Sequence, residues 1–277
     1  MTATPEPGAA PADPGGSADD GGLPIAYLPE FRRGLAHTPR REKASEATAR
    51  RIVADLRDGG YAVGDRLPLE GEMVVAYGVS RDTLREALRL LEVQGVVRVK
   101  RGPLGGPVVS SVNAAFLARS ASLLFHLSGS TYEELFEAWL ALEPQLAARA
   151  ATNPDRATVR AQLDSYLDEG HTADVAGEEF FQRATDFHGV LSRLSGNRVL
   201  TLICQAVEHL MTDQVVADYD PMTASSTITD DHTALARAIA AGDADEAHRL
   251  SEEHIQHMLE HYRTMTPHRL GDVIEWR

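Results

Sequence analysis

The stretch Gly60–Val109, GYAVGDRLPLEGEMVVAYGVSRDTLREALRLLEVQGVVRVKRGPLGGPVV, decides the fold of the first half of the chain. At its centre, Gly78-Val79-Ser80-Arg81-Asp82-Thr83-Leu84-Arg85, two short helical patterns meet across a glycine-containing turn. Ser80 stands where a hydroxyl accepts from the free backbone N–H groups of the helix it opens. In that second helix Leu84, Ala87, Leu88 and Leu91 recur at helical spacing, with Asp82, Arg85 and Arg89 on the far side. One face anchors while the other offers guanidinium groups. Gly95 ends the helix, Val96–Lys100 reads as a short strand, and Arg101-Gly102-Pro103-Leu104-Gly105-Gly106 turns the chain back into Val108-Val109. The spacing predicts a helix-turn-helix followed by a β-hairpin wing with a basic tip.

Charge is divided unevenly around this stretch. The net charge of −14 over 277 residues argues against a nucleic-acid partner, until it is split by segment. Residues 1–30 carry −5, residues 31–110 carry +5 and residues 111–277 carry −14. A basic module is therefore joined to an acidic one, the distribution expected of a phosphate-contacting head on a body that does not touch DNA. No run of about 18 apolar residues is present, so a membrane partner is not expected. The start, MTATPEPGAAPADPGGSADDGG, has neither a basic region nor an apolar stretch, so it does not read as a secretory signal and a cytoplasmic location is expected. The single cysteine, Cys204, excludes an intrachain disulfide framework and reads as a buried thiol.

Along the chain, residues 1–43 read as a disordered tail and a basic arm. Arg32, Arg33, Arg40, Arg41 and Lys43 would either follow a DNA groove or keep a linker solvated. Residues 44–111 form the winged helix-turn-helix, opening on a helix to Asp58 that Ser45 would cap and that turns Ala49, Ile52, Val53 and Leu56 inward. From Val112 the pattern changes to amphipathic helices near 113–128, 131–152, 155–168, 176–195, 197–219, 224–241 and 243–265, separated by Gly129, Asn153-Pro154, Gly170, Gly196 and Gly242-Asp243. The fold class expected is mainly α: a winged helix-turn-helix, then an all-α antiparallel bundle over 112–266, with 267–277 as a C-terminal tail.

Gly64-Asp65-Arg66-Leu67-Pro68, Gly78-Val79-Ser80-Arg81, Arg85-Glu86-Ala87-Leu88, Gly95 and the glycine-rich wing, in this order, resemble the winged-helix domain of GntR-type bacterial transcriptional regulators. Two positions depart from that pattern: Leu69 stands where the family usually has a capping serine, and Gly71 where it often has a phosphate-reaching arginine. In the second half, Glu134–Pro144, Phe187-His188, Ser195-Gly196-Asn197, His232 and Asp243-Ala244 through His254 resemble the FCD ligand-binding domain that follows such heads in the FadR-type subfamily. The resemblance implies a homodimeric, sequence-specific regulator, usually a repressor, that binds a double-stranded operator and senses a small-molecule effector. It implies DNA contacts from Arg81, Thr83 and Arg85, with Ser80 capping their helix and Arg101-Gly102 on the wing. Asp82 stands where Thr or Ser is commoner, and an acid there can accept from cytosine N4.

In many FCD domains the residues matching His188, His232 and His254 hold a divalent metal together with an Asp one turn before the first, and here that position is Ala184. Asp186 lies two residues from His188, nearly opposite on a helix, and is not expected to replace it. The three imidazoles would hold Zn or Ni, with an effector oxygen completing the shell, or would be hydrogen-bonded pocket residues. Trp139 occupies a place where related domains often carry an effector-facing arginine, so small di- and tricarboxylates are disfavoured if it faces the pocket; the alternative is plain core. Two other functions stay open at this point: a three-His metal-dependent enzyme, weakened by the lack of an identifiable general base, and a helical interaction protein without DNA activity.

Overall fold

The computed structural model of the chain describes residues 42–100, 102, 105–111, 113–167, 177–214 and 221–276. The tail and most of the basic arm, and Arg101 on the wing, lie outside the described residues. The first body comprises α1 (Ala44–Asp58), α2 (Glu70–Tyr77), α3 (Arg81–Val93), β1 (Val97–Lys100) and β2 (Gly106–Val109). The two strands pair antiparallel with Val97 opposite Val109 and Lys100 opposite Gly106, and Asp65–Leu67 lies along β2 through backbone bonds to Pro107 and Val109. That is a winged helix-turn-helix.

Its core gathers Ala49, Ile52, Met73, Leu84, Ala87, Leu88, Leu91 and Val97. The stripe read from α3 is the stripe that is buried. Two details of α1 differ from expectation. Ser45 does not cap the helix: Lys43 occupies the N-cap position and its backbone N–H donates to Glu46, while Ser45 turns inward. Val53 is exposed, and Thr48 is buried in its stead, its hydroxyl donating to the Ala44 carbonyl at 2.7 Å. A threonine that satisfies its hydroxyl on its own helix can pack like a small apolar residue.

Despite lacking a capping serine, α2 starts as expected. The Leu69 N–H donates to the Glu72 carboxylate at 2.9 Å, which keeps half of a capping box. Gly78 closes it in the left-handed conformation, φ 65° and ψ 37°.

The second body is a bundle of α4 (Ala114–Ser128), α5 (Tyr132–Ala151), α6 (Arg156–Leu167), α7 (Glu178–Leu194), α8 (Arg198–Gln214), α9 (Ser225–Ala241) and α10 (Ala244–Met265). α5 runs through its middle and packs on α7, α8, α9 and α10. The apolar core includes Phe136, Leu146, Leu163, Phe187, Leu191, Leu235 and Ile239. After α10 the chain folds back onto the bundle: Leu270 and Ile274 are buried, and the Ile274 N–H donates to the Ser130 carbonyl at 2.9 Å. No helix among the described residues is long and apolar enough to cross a membrane.

Candidate functional site

Two sites emerge, one on each body. On the head, Ser80 accepts from the Thr83 backbone N–H at 3.1 Å and thereby fixes the start of α3. Arg81, Asp82, Arg85 and Arg89 are exposed on one side of it. Thr83 is half-buried and its hydroxyl lies 2.9 Å from that of Ser80, so it belongs to the cap as much as to the exposed face. The Arg85 guanidinium donates to Glu70 at 3.1 Å, across the two helices of the motif. Gly102 turns the wing at φ 110°, and Arg98 and Lys100 stand exposed on β1.

In the bundle, His188 of α7, His232 of α9 and His254 of α10 converge, each of them buried. The helices bring one nitrogen from each within 4.8 Å of the others. Each ring is oriented by something other than its two companions. The Nδ1–H of His188 donates to Glu143 of α5, 2.8 and 2.9 Å from the two carboxylate oxygens. The Nδ1–H of His254 donates to Asp231 at 3.2 Å, which also receives His257 at 2.9 Å. His232 stacks on Phe187 with ring centroids 4.2 Å apart. These contacts leave Nε2 of His188 and His254 turned away from their carboxylates, and Nε2 of His232 lies 3.2 Å from Nε2 of His254. Nitrogens on one tetrahedral zinc stand about 3.3 Å apart.

The electrostatics follow from burial and from these partners. Burial drives the His232 pKa well below its ordinary value, and the neighbouring histidines add to this. Burial likewise lowers that of His254, against the opposing pull of Asp231. Burial works against a charged His188 too, but the Glu143 carboxylate outweighs it and holds the pKa up. Burial alone would raise the Glu143 carboxyl, yet His188 holds it below the ordinary range. Neutral imidazoles with a fixed outward N–H are the form that ligates a metal.

Glu143 and Asp231 were not singled out from sequence. Glu143 lies inside the Glu134–Pro144 stretch, but its partner is 45 residues away; Asp231 sits beside His232 yet serves His254. Both act from behind the rings: no carboxylate points inward from position 184, and two hold the rings from outside. Ala184 lines the cavity, and Asp186 is exposed and accepts from Gln182 at 2.9 Å, turned away as expected. Trp139 is both core and wall: it is buried, it lines the cavity, and its indole N–H donates to Glu143 at 2.6 Å. That N–H is committed inside the protein, so the indole gives the cavity an apolar surface. The cavity, about 60 Å³, is walled by Phe136, Trp139, Phe180, Met211, Met258 and Tyr262, with the three histidines and Glu208 as its polar groups along with Thr185 and Thr212.

Comparison with known proteins places both bodies. Residues 44–103 match the bacterial regulatory proteins of the gntR family, and residues 134–257 match the FCD domain. The chain belongs to the GntR family. It is a DNA-binding transcriptional regulator with an effector-binding domain behind its head, and the matching families and relatives are regulators rather than enzymes. The HTH-type transcriptional repressor NanR of Edwardsiella tarda is 25% identical over 237 residues, covering 84% of this chain and 90% of that protein. The NanR of Cronobacter sakazakii is 28% identical over 233 residues, covering 81% and 85%. A solved GntR structure from Streptococcus agalactiae superposes with a TM-score of 0.56 at 24% identity, covering 78% of this chain and 99% of that one, and so shares the fold.

Proposed function

We propose that this GntR-family regulator is a homodimeric repressor whose operator affinity is set by a small molecule bound over a divalent metal in the bundle. The observation that carries the reading is the convergence of His188, His232 and His254 beneath an apolar cavity, two of them with their outward nitrogen fixed by a carboxylate. These three residues would hold Zn or a similar ion, which when bound supplies a Lewis-acidic anchor for an anionic oxygen. Glu143 and Asp231 keep the ring tautomers, and the aromatic wall excludes water. Ser80 positions α3, and Arg81, Asp82, Thr83 and Arg85 face the operator together with Gly102 and Arg101 on the wing.

The sign of regulation follows the NanR relatives, which are repressors. Support for a dimer comes from exposed apolar side chains on the packed pair α4 and α8, where Leu124 is 58% exposed, Leu127 65% and Val199 67%. A second copy of the chain is its natural cover, because a two-fold protein matches two half-sites. Genome-wide mapping of bound DNA, followed by operator titration with metal-loaded and chelated protein, tests the reading. Discrete bound sites, with an affinity that shifts on chelation, are expected. Absence of any enriched site overturns the assignment of an operator, and an affinity indifferent to metal removes the metal from the sensing step.

A further inference from the structure

One ionisable group of the cavity has no part in holding the histidines. Glu208 of α8 lines it, and neither lysine nor arginine stands among the described lining residues. Its carboxylate lies with Glu143 and Cys204, the three offering atoms within 4.8 Å of one another. Among the described residues its hydrogen-bond donor is the Cys204 thiol, 3.2 Å away and a weak donor. Glu143 cannot help, since its oxygens already accept from His188 and Trp139 and carry the same charge. A second metal ion between Glu143, Cys204 and Glu208 would have to take Glu143 from both of those partners. Burial, then the nearby Glu143, pushes the Glu208 carboxyl up to about 7, against the weaker opposing pull of His188, Cys204 and Arg193.

The cavity thus has a histidine pole suited to an anion on a metal and, beside it, a carboxylate suited to a cation. A dicarboxylate would bring its second charge against Glu208, and a plain monocarboxylate would leave Glu208 unpaired. The aromatic wall takes an apolar group, and a cavity of about 60 Å³ restricts that group to a small one. We infer that Glu208 is a specificity-determining residue and that the effector is a small apolar amino acid, its carboxylate toward the histidines, its ammonium on Glu208 and its side chain against Phe136 and Met258. This rests on the reading of the histidines as a metal anchor for the effector.

The test uses full-length protein. Zn²⁺ is first titrated by thermal shift, and calorimetry on the loaded protein then compares L-valine with 3-methylbutanoate, and L-leucine with 4-methylpentanoate. The amino acid of at least one pair is expected to bind about tenfold tighter than its deamino partner, as a charge-assisted contact in a water-poor site would give. Glu208→Gln keeps the shape and removes the charge; it is expected to keep the Zn²⁺ shift and to lose the preference. Deamino acids binding as tightly as amino acids, or no binding of either by Zn-loaded protein, overturns the inference while leaving the metal site standing. A preference that persists in E208Q also overturns it, since the amine would then be chelating the metal itself. No Zn²⁺ shift in the wild type brings down the metal reading, and this inference with it.

Discussion

The Glu143 carboxylate and the His188 imidazole, 2.8 Å apart and both buried, form the joint between the central helix of the bundle and the cavity floor. The contact fixes which nitrogen of His188 turns inward and spreads negative charge onto the ring from behind. Glu143→Gln should therefore leave a folded protein with Zn²⁺ affinity reduced about tenfold to a hundredfold. Trp139→Phe, which removes the indole bond to Glu143 and part of the buried ring but leaves the carboxylate on His188, should cost less. Competition with a chelating dye gives both numbers. Unchanged Zn²⁺ affinity in E143Q would show that the carboxylate is structural and does not tune the site.

How much of this was legible in the sequence depends on how local each cause is. The stripe Leu84, Ala87, Leu88 and Leu91 announces its own burial because helical periodicity needs no knowledge of the rest of the chain. The helix bounds of the bundle were readable to within a residue or two where described, since Gly129, Asn153-Pro154 and Gly242 end helices by backbone chemistry. Val53 was read as inward and Thr48 was passed over, because the Thr48 hydroxyl is satisfied by its own backbone, which hydropathy does not register. Glu143 and Asp231 were invisible as ring holders for a different reason. Their partners come from other helices, and no spacing rule reaches across 45 residues. The histidines themselves were found through resemblance, and their convergence is a property of the packing of α7, α9 and α10.

The ion pair between Arg85 and Glu70 bears on DNA recognition. The Arg85 side chain is exposed and that of Glu70 partly so, so the pair contributes little to stability and can open when a base edge or phosphate competes. Arg85→Ala should weaken operator binding by roughly 1 to 3 kcal/mol and relax sequence preference if the side chain reads a guanine. Lys100→Ala should weaken all duplexes evenly and reduce the salt slope by about one unit. Glu70→Gln should tighten nonspecific binding slightly by freeing Arg85. Anisotropy titrations at several salt concentrations distinguish these cases. If the Arg81/Arg85 double alanine variant binds the operator like wild type, α3 is not the reading helix.

The apolar surface on α4 and α8 makes a prediction about assembly. Leu127 and Val199 are each about two-thirds exposed, which costs little singly but marks an interface when contiguous. Leu127→Glu combined with Val199→Glu should convert a dimer to a monomer at micromolar concentration, because two buried charges per subunit would face their symmetry mates. Light scattering reads the mass. A double variant that remains a dimer places the interface elsewhere.

Gly95 joins the head to the body in a way that one substitution can expose. Its backbone sits at φ 69°, and a Cβ built there would lie 2.1 Å from the ring of Phe116 on α4. Gly95→Ala thus meets two separate penalties: a left-handed conformation costing roughly 1 to 2 kcal/mol in a residue with a Cβ, and an overlap costing roughly 1 to 3 kcal/mol more. The two separate in a double-mutant cycle. In a Phe116→Ala background the overlap disappears and the conformational part stays, so the cost of Gly95→Ala should fall by about half. Denaturant titration of the four proteins gives the coupling. Operator binding by Gly95→Ala at a temperature where it is fully folded adds the functional side, since a ring forced away from the end of α3 shifts the helix that faces DNA. A coupling energy near zero would mean that Phe116 does not press on Gly95, and that the route between the bundle and the recognition helix runs through some other contact.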